Sequence, residues 1–183
     1  VHVRMNVGSV RMKLIIKDPN SNLSDTAFPG SVKIYGVKGI KGGARRVSGH
    51  ITRETVTAGK ENIDKYKLFF TTSYSTNAVI PPETIVGLPG EVCTETFLQI
   101  GPFNSEDEML RCKSFMETNI FRFLLYFGKG TMQVNQSVFD YIPLVPFDRE
   151  WTDSLLIERY EFTDEDVSFI ESIIGNKVEV EHE

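Results

Sequence analysis

The chain has 183 residues, 40% of them hydrophobic and 11% aromatic, which is enough apolar material for a packed core and too much for wholesale disorder. No apolar run approaches the roughly 18–20 residues of a membrane span, and the densest patch, Phe121 to Phe127, is short and contains Arg122. The formal net charge of −5 and the pI of 5.3 would, if evenly spread, argue against nucleic acid as a partner.

The charge is not evenly spread. Residues 1–75 hold 13 Lys/Arg and 5 Asp/Glu, a net of +8, whereas residues 76–183 hold 7 and 20, a net of −13. Such asymmetry between halves is itself a signal of a partner. The sequence opens on Val1 rather than Met and lacks the basic start and apolar stretch of a secretory signal, so a piece of a longer protein is expected. Cys93 and Cys112 are too few for a disulfide framework and suit buried thiols in a reducing cytoplasm. His2, His50 and His182 are scattered, without metal-ligand spacing to either cysteine.

In chain order, Val3, Met5 and Val7, then Val10, Met12 and Leu14, alternate with polar residues. That period of two predicts two strands with a tight turn at Gly8-Ser9. Asp18 to Asn22 is a turn cluster, Phe28-Pro29-Gly30 a second break, and Val32, Ile34 and Tyr35 begin another strand. Gly36 to Arg46 then holds four glycines, two lysines and two arginines in eleven residues. Glycine permits close backbone approach, and Lys and Arg supply phosphate charge and, for Arg, bidentate base contacts. The run predicts a mobile basic loop, or a solvated hairpin tip, and its spacing is not that of a P-loop. Ile63 to Phe70 predicts a strand with Lys65 and Lys67 on one face and Tyr66 and Leu68 on the other.

Ile80-Pro81-Pro82 and Gly87 to Gly90 bracket a linker, and Glu91 to Ile100 predicts a strand ended by Gly101-Pro102-Phe103. Ser105 with Glu108 is a capping-box pattern that starts a helix through Phe115. Thr118-Asn119 breaks it, Ile120 to Phe127 forms a second, buried helix, and Gly128-Lys129-Gly130 stops that. Asp140 to Phe147 reads as extended and proline-limited. Trp151 to Tyr160 predicts a short helix, and Thr163 with Asp166 opens another that Gly175-Asn176 ends, followed by a frayed tail from Glu179. Negative charge at exposed helix starts accounts for much of the acidic excess.

The fold class expected is therefore α+β: a twisted, mainly antiparallel sheet from the first ~100 residues, with a helical C-terminal part packed against it. Residues 1–183 form one unit, with 1–80 a basic, loop-rich part and 91–177 an acidic helical scaffold. Expected core residues are Leu14, Ile16, Ile34, Tyr66, Leu68, Phe97, Leu98, Phe121, Leu124, Leu125, Phe127, Ile142, Trp151 and Ile170. Arg122 is expected either to be paired inside or to point to DNA or an adjacent domain. Asn-Pro-Pro-Tyr, Gly-x-Ser-x-Gly, His-Glu-x-x-His and Cys-x-x-Cys are all absent, as is the acid followed by Glu-x-Lys or Asp-x-Lys of common nucleases. His50, Glu54 and Asp64 lie close in sequence, but spacing alone gives them no roles. No catalytic, cofactor-binding or metal-binding residue is assigned.

Several segments carry a family resemblance. They are Val92 to Phe97, Ile100 to Phe103 with Ser105-Glu106, Lys113 to Leu124, Tyr141-Ile142-Pro143, Trp151-Thr152-Asp153, and Phe162 to Asp166 with Phe169-Ile170-Glu171. In that order and spacing they resemble the C-terminal target-recognition domain of type II restriction–modification enzymes that fuse a nuclease and an adenine-N6 methyltransferase. Ile63 to Lys67 resembles the family's segment near the end of its variable region. Asn119-Ile120 stands where the family usually has Lys-Phe, and residues 1–50 match nothing in it.

The resemblance implies a double-stranded DNA recognition module of a bacterial, cytoplasmic enzyme, without catalysis of its own. Its partners would be DNA and the methyltransferase and nuclease domains of the same polypeptide, with S-adenosylmethionine and Mg²⁺ bound by those domains. The residues expected to contact DNA, from the basic charge of the first part, are Lys33, Lys38, Lys41, Arg45, Arg46, Arg53, Lys65 and Lys67. The alternative is a protein–protein interaction module with no DNA binding of its own.

Overall fold

The computed structural model describes residues 7–9, 23–41 and 43–178. The expected strands at Val3 to Met5 and Val10 to Leu14, the turn at Asp18 to Asn22, the core positions Leu14 and Ile16, and the tail from Glu179 lie outside those residues. The fold is α+β, with strands in the N-terminal part and helices in the C-terminal part.

The strands form two sheets rather than one. The larger is antiparallel, in the order β1 (Val7–Ser9), β7 (Phe97–Phe103), β4 (Tyr66–Thr71), β5 (Ile85–Gly87). Gly8-Ser9 is thus strand, not the expected turn. The smaller sheet pairs β2 (Ser31–Ile40) antiparallel with β3 (Gly43–Thr52) and parallel with β6 (Glu91–Cys93). The single strand expected over Glu91 to Ile100 is therefore two strands in different sheets. Thr94 to Thr96 carry the chain across between them, and Phe97 N–H closes the turn on the Thr94 carbonyl at 3.1 Å.

Alternation along the strands builds the layers. Leu68 and Phe70 of β4, with Leu98 and Ile100 of β7, face the helices. Phe69 and Phe97 face the other way and meet Cys93, with Tyr35 and Val37 half-buried against them. The outer face of the small sheet, Val32, Ile34 and Ile51, is covered by Val56, Ile63 and Leu23. Gly49 lets Leu23 approach, since a Cβ there would stand 2.6 Å from the Leu23 side chain.

The helices are α1 (Glu106–Met116), α2 (Asn119–Gly128), α3 (Asp153–Tyr160) and α4 (Asp164–Val178). Their starts follow local chemistry. Ser105 Oγ accepts from Glu108 N–H at 3.2 Å, while the Glu108 carboxylate accepts from Asn104 N–H at 2.8 Å. Thr163 and Asp166 cap each other at the first turn of α4. That helix runs on through Gly175-Asn176, because Gly175 keeps a helical backbone instead of the left-handed turn that would end it. Gln136–Tyr141 form a 3-10 turn where extended chain was expected from Asp140. Trp151 is buried, its indole N–H donating to the Pro146 carbonyl at 2.8 Å.

Helix α2 is the centre of the helical layer. Ile120, Phe121 and Leu125 are buried, and Leu124 is half-buried against the same core. Phe127, expected inside, is 58% exposed. It lies with Phe123 on the other side of the helix, at 4.7 Å between rings, and Phe123 also meets Phe169 of α4 at 5.8 Å. Arg122 is half-buried, its guanidinium 3.5 Å from the Asn119 side-chain oxygen. Thr118 Oγ1 accepts from Phe121 N–H, and both carboxylate oxygens of Asp153 accept from Asn119 and Ile120 N–H at 3.1 and 2.9 Å. A side chain at the start of α3 thus caps α2, and with Thr118 N–H donating to the Phe115 carbonyl at 3.2 Å all four orphan donors of its first turn are satisfied. Asp153→Ala should cost about 1–2 kcal/mol of stability in urea denaturation, and Asp153→Asn, which keeps one acceptor, less. Equal losses in the two variants would show that the cap contributes little.

Candidate nucleic-acid interface

The basic run, expected as a mobile loop or a solvated hairpin tip, is the outer half of the β2–β3 hairpin. Both strands have ten residues, and the ladder is in register from Ser31↔Thr52 to Ile40↔Gly43. Each face of the inner half is covered, one by the larger sheet and the other by Leu23, Val56 and Ile63. Past Val37 and Val47 the cover ends. Residues 38–41 and 43–46 are exposed and form a two-stranded arm. Strands of β-branched and small residues hold this shape by ladder hydrogen bonds, so the glycines interrupt no core packing.

Four of the expected contact residues, Lys38, Lys41, Arg45 and Arg46, gather on this arm. Their side chains make no ion pair or hydrogen bond with another described residue. Lys38 stands directly across from Arg45, and Val37 across from Arg46. Residues 26–53 hold six Lys/Arg and no Asp or Glu, so no acid in that stretch can neutralise the arm. Like charges placed opposite each other on a ladder repel. That cost falls when an anion or a row of acceptors lies against them.

The other four expected contacts are placed differently. Lys33 sits at the inner end of β2, ion-paired to Glu91 of β6 at 3.2 Å and 4.6 Å above the Tyr35 ring. The Tyr35 hydroxyl also donates to Glu91 at 3.1 Å. Hydrogen bonding to Tyr35 and Glu91 raises the Lys33 pKa, outweighing its partial burial. Arg53 grips Asp64 with both terminal guanidinium nitrogens, Nη1 and Nη2, which lowers the Asp64 pKa; exposed as it is, that pair adds little stability. Lys65 is exposed beside it, as is Lys60, which the sequence reading left out of the set.

Lys67 is removed from any surface. It is fully buried, and its ammonium donates to the carbonyls of Asn62, Ile63 and Lys65 at 2.8, 2.7 and 2.9 Å. The face expected to carry charge to solvent is the face that meets the small sheet, and the alternation slips at a bulge between Tyr66 and Leu68. Burial pushes the Lys67 pKa down to about 8, against the opposing pull of the Glu91 and Asp64 carboxylates. At neutral pH it still carries its proton and donates to all three carbonyls.

No catalytic constellation forms around the histidine the sequence singled out. His50 stands across from Lys33, its Nδ1 without a hydrogen-bond partner, while Asp64 is held by Arg53. The cavity against the hairpin, between Leu23, Ile34, Val47 and Thr94, is about 10 Å³, room for about one water. A larger one of about 80 Å³ lies among α2, α3 and α4 beside Asp153 and Glu171. Cys93 and Cys112 are buried free thiols, and burial raises both pKa values, that of Cys93 to about 12. Among the described residues no group of three or more His, Cys, Asp or Glu side chains gathers to hold a metal ion. No described helix is long and apolar enough to cross a membrane. No protein-family model, curated protein or solved structure matches this chain.

The buried ammonium gives a test of this corner of the site. Lys67→Met leaves carbonyls short of a donor and should cost about 2–3 kcal/mol at pH 7. The pH dependence has a definite sign. Unfolded, Lys67 holds its proton to near its ordinary 10.5; folded, it releases it near 8. Between those values the unfolded chain binds more protons, so this group makes stability rise with pH. Urea titrations should show the gap between wild type and Lys67→Met widening from pH 8 toward 10. A constant gap would mean that Lys67 titrates alike in both states.

Proposed function

We propose that this chain is a DNA-recognition module that binds duplex DNA through the β2–β3 arm and carries out no chemistry itself. The observation that carries the reading is a set of four cations on an exposed two-stranded projection that pair with no acid among the described residues, in a hairpin stretch that itself holds no Asp or Glu. Phosphate contacts from such cations set affinity and register. Six of the acidic residues that outweigh the cations lie in the first turns of α1 and α4, where negative charge complements the helix dipole.

The resemblance to restriction–modification target-recognition domains supports the same reading. In that setting the chain positions a duplex target for methylation and cleavage by domains that bind S-adenosylmethionine and Mg²⁺, in the cytoplasm of a bacterium. Lys33, Arg53 and Lys67 drop out as primary contacts, the first two neutralised by Glu91 and Asp64 and the third buried. Lys38, Lys41, Arg45 and Arg46 remain, with Lys60 and Lys65 on the loop beside the hairpin.

A second reading is a protein-interaction module with no DNA binding of its own. The exposed aromatic side of α2 and α4, where Phe127 and Phe169 are 58% and 53% exposed, favours it. This patch also suits packing against a neighbouring domain of the same polypeptide.

The deciding measurement is binding to a random duplex as a function of salt. Binding should be present at low ionic strength and fall steeply as salt rises, and Arg45→Ala plus Arg46→Ala should reduce the log–log salt slope by about 2. Absence of binding at low salt would reject the DNA reading and leave the interaction reading.

A further inference from the structure

Two glycines of the arm have no use within the fold. Gly39 and Gly43 lie in β2 and β3, neither has the positive φ that only glycine tolerates, and a Cβ built at either would meet nothing within 4 Å. Glycine inside a strand is unfavourable relative to residues with side chains. Their small size is therefore free to serve something that approaches from outside.

The ladder register sorts the arm into two faces. Lys38 with Arg45, and Ile40 with Gly43, share the face that continues outward from Val32 and Ile34. Val37 with Arg46, and Gly39 with Ala44, share the other face. At Val37 that other face turns toward the chain's own larger sheet, against Phe69, Cys93 and Phe97.

The dimensions fit one kind of site. Four residues per strand at about 3.3 Å each extend about 13 Å. The major groove of B-form DNA is about 12 Å wide and about 8.5 Å deep, and it admits a two-stranded ribbon. The major groove of A-form RNA is too narrow for one.

Resting on the DNA reading above, we infer that the arm enters the major groove with the face of Lys38, Ile40, Gly43 and Arg45 against the base edges. Arg45 is the specificity-determining residue, its guanidinium fork matched to the O6 and N7 acceptors of guanine. Lys38 across the ladder adds a second donor at the same depth, and the acceptors relieve the repulsion between the two cations. Ile40, 52% exposed, offers an apolar contact to a thymine methyl, and Gly43 opposite it leaves room for the base pair. Arg46, on the reverse face, supplies charge without reading sequence.

The test selects duplexes from a random library with the full chain, then measures binding of variants to the selected site. Circular dichroism and thermal melting of each variant check the fold. Gly43→Val and Gly39→Val both favour strand and should leave melting unchanged or raised. Gly43→Val should weaken binding about tenfold or more, and Gly39→Val should not. Arg45→Lys, which keeps the charge but not the fork, should flatten a guanine preference at one position, whereas Arg46→Ala should weaken all duplexes alike. Replacing the selected guanine by 7-deazaguanine should cost wild type about tenfold and Arg45→Lys little. Double-stranded RNA of the selected sequence should show no sequence preference.

If Gly39→Val blocks binding and Gly43→Val does not, the face assignment is overturned. If Arg45→Lys retains the full guanine preference, or 7-deazaguanine leaves wild type unaffected, Arg45 is not the reader. Both outcomes leave DNA binding itself intact. A wild-type chain that selects and binds no duplex overturns the underlying reading and this inference with it.

Discussion

The architecture turns on three residues, Thr94 to Thr96, over which the chain leaves one sheet and enters the other. The crossing is tied at both ends. Thr94 N–H donates to the Tyr35 carbonyl of the hairpin at 2.9 Å, and the Thr96 carbonyl accepts from both Thr72 N–H and Thr72 Oγ1, at 3.0 and 2.9 Å, beside β4. The two threonine hydroxyls lie 2.7 Å apart. A link this short fixes β6 relative to β7, and so fixes the hairpin, which is paired to β6, relative to the larger sheet. Cys93 and Phe97 on either side of the crossing then fill the space between the sheets with Phe69. Pairing to β6 and packing of Tyr35 and Val37 against Phe69, Cys93 and Phe97 join the inner hairpin to the body, and the arm projects from that base.

The helical layer rests on the opposite face of the same larger sheet and repeats this economy. Phe121 of α2 packs edge-on against Phe115 of α1 at 5.3 Å between rings and tilts against Phe139, linking consecutive helices into one core with Leu68 and Ile100. Asp153 then ties the start of α3 to the start of α2. The helices thereby brace the sheet that braces the hairpin, while the acidic first turn of α4 stays in water.

What was legible in the sequence was what is local. Ser105 with Glu108, and Thr163 with Asp166, each act within four residues, and the starts of α1 and α4 were readable from them. What was not legible came from partners distant in sequence. Lys33 looks like a free cation until Glu91, 58 residues on, is placed beside it by a parallel pairing. Lys67 looks exposed by alternation until a second sheet covers its face. The glycines of Gly36 to Arg46 left a mobile loop and a hairpin tip both open, and ladder pairing to a well-anchored inner half decides for the hairpin. Phe127 follows apolar composition, whereas burial follows helical period, and the period puts it with Phe123 on the outer side. Of the eight cations named from sequence, those on the arm were found because charge and glycine coincide there; the ones that misled were those whose counter-charge or cover is non-local.

The abrupt end of the cover at Val37 and Val47 separates two kinds of constraint on one hairpin. Inside that line a substitution disturbs a core; outside it, a substitution touches only solvent or a ligand. Evolution can therefore rewrite residues 38–46 with little penalty to the folded state. A scaffold divided in this way can acquire new specificities one side chain at a time while its body changes slowly, and the outer hairpin is where divergence among descendants of this chain would concentrate.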